Sequence, residues 1–491
     1  MNERLAFSFG SNRGVAAHAP ASVGRLADVM VRPRTDEAID QAAAVPDETE
    51  RKRDWGFLGL LVFTAVLYFR PQDQIPGLSF LPLAEIAALF GLAAMVYNRM
   101  SRGQTFSRLT PELLAVAGLG VVMLITAPFS VWAGGAVHTF TDGFAKVLLI
   151  YILMTNTLTS LVRVQRFMMV VVTATGYLAT RGVFDYARGL NLIENGRVQG
   201  AVGGMFQNPN DLALNMVAVL PIAVLWALGA RRPAQRLFAG FLALMMLCTV
   251  VVSYSRGGFL GLALMILILA WHMVRRRPAA VAAAAVALLL ALPLAPASYW
   301  NRIASITDES LDETGSREAR RVAMREAWDT FLTFPFYGVG AGMFQAYNPP
   351  GRQEIWRETH NVVLQVAAEL GILGLALFSF LLWRALAAGS VTRRLLRRAS
   401  GASPPSRRRP APQPSGAPLV TREEATYIDA HAGAMTASVM GWFVSALFAS
   451  VAYTWTFYYL LALAVAPRDI LRARLTVAAK TPRHQDVGAR V

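Results

Sequence analysis

Cysteine is all but missing: the one thiol in 491 residues, Cys248, lies inside an apolar run. Neither an intramolecular disulfide nor a cysteine-based metal site can be built from it. Charge is scarce too, at 16% of residues against 55% hydrophobic, which excludes an ordinary water-soluble domain. The first 54 residues are Ala-rich, broken by charges, and lack the apolar core of a secretory signal. They read as a disordered cytoplasmic tail, with the run from Trp55 as an uncleaved signal anchor. Aromatic residues interleaved with basic ones are also lacking, so the net charge of +16 does not point to nucleic acid. The acidic run 307–314 (TDESLDET) lacks the alternating ligands and central glycine of a calcium loop, and no metal is expected.

What is there is a succession of apolar runs long enough to cross a hydrocarbon core roughly 30 Å thick. They fall at about 55–69, 81–97, 112–129, 143–160, 165–186, 211–228, 237–254, 257–274, 278–298, 361–383, 434–450 and 452–467. Barrel strands would instead alternate polar and apolar residues over about ten positions. The fold class expected is therefore an all-α integral membrane protein with about 12 transmembrane helices in the lipid bilayer. With the N-terminus inside, the inside loops carry Arg99, Arg102 and Arg108; Arg163 and Arg166; Arg231, Arg232 and Arg236; Arg275 to Arg277; and the arginines of 384–433. The short outside loops have almost none. That asymmetry is the positive-inside pattern, and it predicts both termini in the cytoplasm.

The organisation expected is a tail (1–54), a ten-helix membrane body (55–385), a flexible cytoplasmic linker (386–433), a transmembrane hairpin (434–467) and a tail (468–491). Pro, Ser, Ala and Arg dominate 399–420, a composition that buries no core. No internal repeat is evident, which speaks against an inverted-repeat transporter. Two outside loops stand out, about 187–210 and 299–360. Within the second, 316–333 reads as an amphipathic helix with Val322, Ala323, Ala327, Trp328 and Phe331 on one face.

Four segments carry a resemblance: GRVQGAVGGMFQNPNDLALNM (196–216), SYSRGGFLGLAL (253–264), the Arg-rich helix ending in FPFYGVGAGMF (334–344), and ETHNVVLQVAAELGILGLALF (358–378). In order, spacing and topology, roughly 110–385 resembles the O-antigen ligase and polymerase superfamily of bacterial inner-membrane glycosyltransferases. The YFRPQDQIPGL stretch also resembles putative O-glycosylation ligases. The resemblance implies periplasmic transfer of a glycan from an undecaprenyl diphosphate carrier, without metal or other cofactor. The acceptor would be lipid A-core, another carrier-linked glycan, or a protein. A repeat-unit polymerase with the same donor is the alternative within the class, and a secondary transporter the alternative outside it.

Such chemistry has physical demands. A sugar hydroxyl is a poor nucleophile and is helped by a general base. A departing diphosphate needs cations, and arginine offers a bidentate fork for phosphate. His360 is the one histidine of the large outside loop, next to Asn361 at the start of a span. Position alone leaves it a base or a solvated interfacial side chain; the resemblance implies the base. Arg256 sits in a tight outside turn, where an arginine either snorkels to headgroups or holds diphosphate; the resemblance implies the second. Arg320, Arg321, Arg317 and Arg325 compete on the amphipathic helix, and the resemblance favours Arg320 or Arg321. Arg197 is a further phosphate candidate. Lys146 and Arg181 lie in the outer halves of their spans and are supporting candidates, whereas Glu369 reads as a structural acid within the bundle.

Overall fold

The computed structural model describes residues 54–75, 77–78, 80–193, 196–201, 203–274, 277–291, 297–304, 316–348, 357–400 and 419–480. The main helices are α1 (Trp55–Phe69), α2 (Leu83–Met100), α3 (Pro111–Phe129), α4 (Ala133–Thr157), α5 (Leu161–Ala187), α6 (Pro209–Gly229), α7 (Pro233–Val252), α8 (Arg256–Met273), α9 (Pro278–Ala291), α10 (Ser316–Thr333), α11 (Val362–Ala399), α12 (Arg422–Ala446) and α13 (Trp455–Lys480). Among the described residues the only strands are β1 (Leu192–Ile193) and β2 (Arg197–Val198), a small antiparallel hairpin with Leu192 opposite Val198. Among the described residues eight helices, α2 to α8 and α11, are long and apolar enough to cross a membrane. The chain is thus an all-α membrane protein.

Helix starts are written locally. Asp54, Thr110, Ser160, Ser255 and Asn361 each accept a hydrogen bond from the first turn of the helix they precede. Pro111, Pro209 and Pro233 occupy first helical positions, where a missing N–H costs nothing. Thr421 and Glu424 form a reciprocal capping box at α12.

Apolar side chains gain little by leaving lipid for one another, so helix association rests on close fit. Gly59 of α1 and Gly91 of α2 are so close that a Cβ on Gly59 would collide with the Gly91 backbone. Gly261 of α8 meets Gly441 and Ser445 of α12 in the same way. The hub is α6, whose residues from Leu212 to Ala223 are all buried; α5, α7, α8 and α12 surround it. Trp442 of α12 stacks on Phe457 of α13 at 4.8 Å.

Helix ends sort into two groups. At one end arginines meet acids: Arg163 with Asp54 at 2.7 Å, Arg393 with Asp429 at 2.8 Å, Arg474 with Glu424 at 3.0 Å, and Arg231 with Glu423. The buried Glu112 receives both Arg384 (2.6 Å) and Arg468 (2.7 Å). At the opposite end lie the starts of α6, α8 and α11 and the end of α12.

Three features differ from expectation. Helix α11 continues past 383 to Ala399 and α12 begins at Arg422, so both described flanks of the expected 386–433 linker are helical; Leu, Ala and Arg are good helix formers. Helix α13 likewise runs on to Lys480. On α10 the buried side is Ala323, Ala327 and Thr330, whereas Val322 and Trp328 are exposed. Small residues let α10 approach α11, and the bulky ones are left on its flanks. The tail before Asp54, the acidic run 307–314, the Pro-rich 401–418 and residues after 480 lie outside the described residues.

Candidate active site

Four segments converge where α6, α8 and α11 begin. Arg197, on β2, donates through Nε to the Ser253 carbonyl (3.2 Å) and through Nη2 to Asn210 Oδ1 (2.9 Å). Ser255 Oγ donates to the same Asn210 oxygen at 2.9 Å. The GRVQG and SYSR segments are thereby tied across the first turn of α6. Tyr254, at φ 51°, turns the chain so that Ser255 can cap α8. Arg256 follows as the first residue of α8 and is only 9% exposed. Side chains at Gly257 and Gly258 would press on Phe448 and Ala213, which seats this arginine between α6 and the turn after α12.

That turn holds the third segment. Ser450 Oγ accepts the backbone N–H of His360 at 3.0 Å and lies 3.0 Å from the Thr359 hydroxyl. Ala452 N donates to Gln365 Oε1 at 3.1 Å, one turn into α11. His360 adopts φ 48°, a left-handed conformation rare for a side chain with a Cβ. Asn361 then caps α11, accepting from Val363 N (3.0 Å) and Leu364 N (3.1 Å). The imidazole is half-buried.

The fourth segment arrives with α10. Arg320 lies close enough to His360 for its charge to be felt, and so does Arg357. Loss of hydration, then those two guanidinium groups, hold the imidazole down to about 4, so it is neutral at physiological pH. Arg321 instead points to Glu318 at 3.6 Å, both largely exposed. Arg325 is exposed, and Arg317 falls in the first turn of α10. Downstream, the glycine loop is hung on α11: Val339 N donates to Ala368 O, Gly340 N to Glu369 O, and Gly342 N to the Glu369 carboxylate at 2.9 Å. The backbone is left-handed at Gly338 (φ 65°), where a Cβ would strike the Glu369 carbonyl. Glu369 is the clip that holds this loop.

Two expected residues are engaged elsewhere. Lys146 bridges Glu85 of α2 at 2.9 Å and Asp142 at 3.0 Å. Arg181 pairs with Asp185 at 3.5 Å, and Asp185 also accepts from Asn191 at 2.8 Å, bracing the end of α5. Three residues that sequence reasoning passed over take part. Ser450 is far from His360 along the chain and carries no local signal. Glu358 immediately precedes the Thr-His pair and is exposed; Asp211, on the first turn of α6, lies close enough to Glu358 for the two carboxylates to repel. Acids flanking a histidine were the available clue.

The arrangement offers cations for a diphosphate beside a neutral imidazole and a carboxylate for a hydroxyl. Residues 241–379 match the family model described as O-antigen ligase. That range spans α8, α10, the glycine loop and the first half of α11. No curated protein matches the chain.

Proposed function

Residues 241–379 place the chain in the O-antigen ligase superfamily, and from that premise we propose that it transfers a glycan from undecaprenyl diphosphate to an acceptor hydroxyl. The reaction runs at the outer face of the bacterial inner membrane, with both termini in the cytoplasm and about twelve membrane crossings. Arg256 and Arg320 hold the diphosphate, with Arg197 bracing the loop behind them. His360 meets the acceptor hydroxyl, and Asn361 fixes the backbone that presents it. The acceptor oxygen attacks the anomeric carbon from the face opposite the diphosphate, and the anomeric configuration inverts. The carrier diphosphate departs as an anion held by arginine charge, a stabilisation that grows as the leaving group develops.

The observation that carries this reading is the convergence of Arg197, the buried Arg256 and His360 where α6, α8 and α11 begin, with Arg320 of α10 near enough for the imidazole to feel its charge. Clustering of the acid-paired arginines at the far end supports the orientation, since that end carries the basic loops. A ligase is preferred over a polymerase because the RPQD turn is joined to the site loop: Asp73 accepts the Gly203 N–H at 3.2 Å. The test is surface-polysaccharide profiling in a deletion strain complemented with wild type, His360→Ala or Arg256→Ala, with carrier-linked intermediates quantified. Full-length carrier-linked polymer accumulating in the variants marks a ligase, and single repeat units mark a polymerase. Unchanged profiles in stably expressed variants would remove the mechanism and favour a transporter.

A further inference from the structure

The end of the bundle far from His360 has a cavity that glycan transfer leaves unused. It lies where α6, α8 and α11 end and where α5 and α12 begin, and its volume is about 1460 Å³. That exceeds the roughly 300–1,000 Å³ of a small-molecule site, which points to a larger guest. Deeper in the bundle its wall is apolar, with Val224 and Leu225 of α6 and Leu269 of α8. Towards the helix ends it turns cationic, with Arg277 just after α8 and Arg393 and Arg397 of α11. Three acids of α12 also line it, but each is met by an arginine. Glu423 has Arg231, Glu424 has Arg474 at 3.0 Å, and Asp429 has Arg393 at 2.8 Å. Among the described residues no acid pairs with Arg277 or Arg397, and both are exposed. The cavity therefore presents two uncompensated positive charges above an apolar wall. Trp271 of α8, also on its lining, is exposed, as aromatic side chains at headgroup level are.

We propose that this cavity binds a phospholipid with an anionic headgroup, drawn from the cytoplasmic leaflet. The leaflet rests on the topology proposed above, which puts this end of the bundle inside. Basic pockets between membrane helices on that side suit anionic headgroups. Arg277 and Arg397 receive the phosphate, since theirs is the charge that no acid offsets, and a guanidinium offers a phosphate two parallel donors. The acyl chains lie along Val224, Leu225 and Leu269 and continue into the bilayer. A zwitterionic lipid gains less, because its ammonium group brings positive charge to the same two arginines. A soluble phosphate compound would leave the apolar wall bare. The lipid touches five helices at once, and three of them, α6, α8 and α11, carry the candidate active site at their other ends. Binding here therefore ties together the frame on which that site is built, and raises the melting temperature by mass action.

The experiment uses the full-length protein in detergent, with binding followed by native mass spectrometry and by thermal shift, and no glycan present. The probes are phosphatidylglycerol, phosphatidylethanolamine and soluble glycerol phosphate. The variants are Arg277→Gln combined with Arg397→Gln, Leu225→Trp to fill the apolar part, and Arg394→Gln, an exposed arginine of α11 away from the cavity lining. Phosphatidylglycerol is expected to bind at least about tenfold tighter than phosphatidylethanolamine and to raise the melting temperature. The paired glutamine variant should weaken it about thirtyfold, about fivefold for each arginine removed from an anionic headgroup. Leu225→Trp should lose the lipid with both arginines in place, and Arg394→Gln should stay within about twofold of wild type. Equal binding of the two phospholipids, or either cavity variant binding like wild type, overturns the inference. So does glycerol phosphate displacing phosphatidylglycerol at matched concentration, which would mark a site for soluble phosphates. Lipid that binds only after residues 402–417 are deleted would give the cavity to that segment, and overturns it as well. Glycan transfer by the same preparation is scored separately and stands or falls on its own.

Discussion

One hydroxyl carries more of the site than any motif. Ser450 Oγ is the shared anchor of Thr359 and His360, and it holds the backbone N–H of His360 where that residue is left-handed. Ser450→Ala strands the His360 N–H, at a cost of about 1–3 kcal/mol where water cannot replace the partner. Transfer should fall about tenfold or more with the protein still folded, and Ser450→Thr should restore most of it; equal rates in the alanine variant would refute the anchor. The imidazole makes a second prediction. Its folded value is about 4 against 6.5 for the free side chain. Between those values the unfolded chain binds a proton that the folded chain does not, so stability falls as pH drops through 6.5 towards 4. His360→Gln lacks this contribution. The melting temperature of wild type should therefore lose ground to the variant on acidification, and a pH-independent difference would count against a depressed histidine. Diphosphate bound beside the ring should shrink the effect.

Helices are held together differently at the two ends, and so should fail differently. At the far end Glu112 is fully buried and takes both Arg384 and Arg468, while Arg468 also holds Asp469 at 2.7 Å. Glu112→Ala leaves two guanidinium groups without this partner across α3, α11 and α13. A loss of about 3–5 kcal/mol follows from removing one member of a buried pair, read as lower yield and melting temperature with an unchanged donor KM in what survives. At the site end the glycine loop depends on backbone shape. Gly338→Ala puts a methyl into the Glu369 carbonyl at φ 65°, so the loop should undock from α11 and activity should drop while the bundle keeps its stability. The contrast explains what could be read in advance. Apolar runs, caps and the GVGAG, HN and SYSR segments are local, and each expected crossing overlaps a helix. The Glu112 network is not local. Arg384 and Arg468 look like ordinary basic flanks in sequence, and only packing brings them to one acid. The α10 face was misjudged for a related reason: hydrophobicity ranks Trp328 above Thr330, but close approach to α11 selects for size.

The family model ends at residue 379, yet the site does not. Arg197, Asn210 and Asp211 come before it, and Ser450 comes after it on the far side of α12. Local sequence pointed to His360, Arg256 and Arg320, whose proposed roles rest on the chemistry of their side chains, but it was silent on Ser450, which receives the His360 N–H. The last two helices are accordingly more than an appended hairpin. α12 packs on α6, α8 and α11, with Trp442, Ala437, Val439 and Ala446 buried, and α13 fills the remaining side with Phe457, Leu461 and Leu463. A chain stopped at residue 420 would expose that surface of α6 and α8 and lose Ser450. It should give no transfer even where it inserts. Supplying 419–491 as a separate chain should restore activity, because the packing surfaces between the pieces are extensive and the cut avoids them. Co-purification of the two pieces together with recovered glycan transfer is the expected outcome. An active truncated chain would mean that the anchor and the hairpin are dispensable, and that the loop before α11 holds its shape alone.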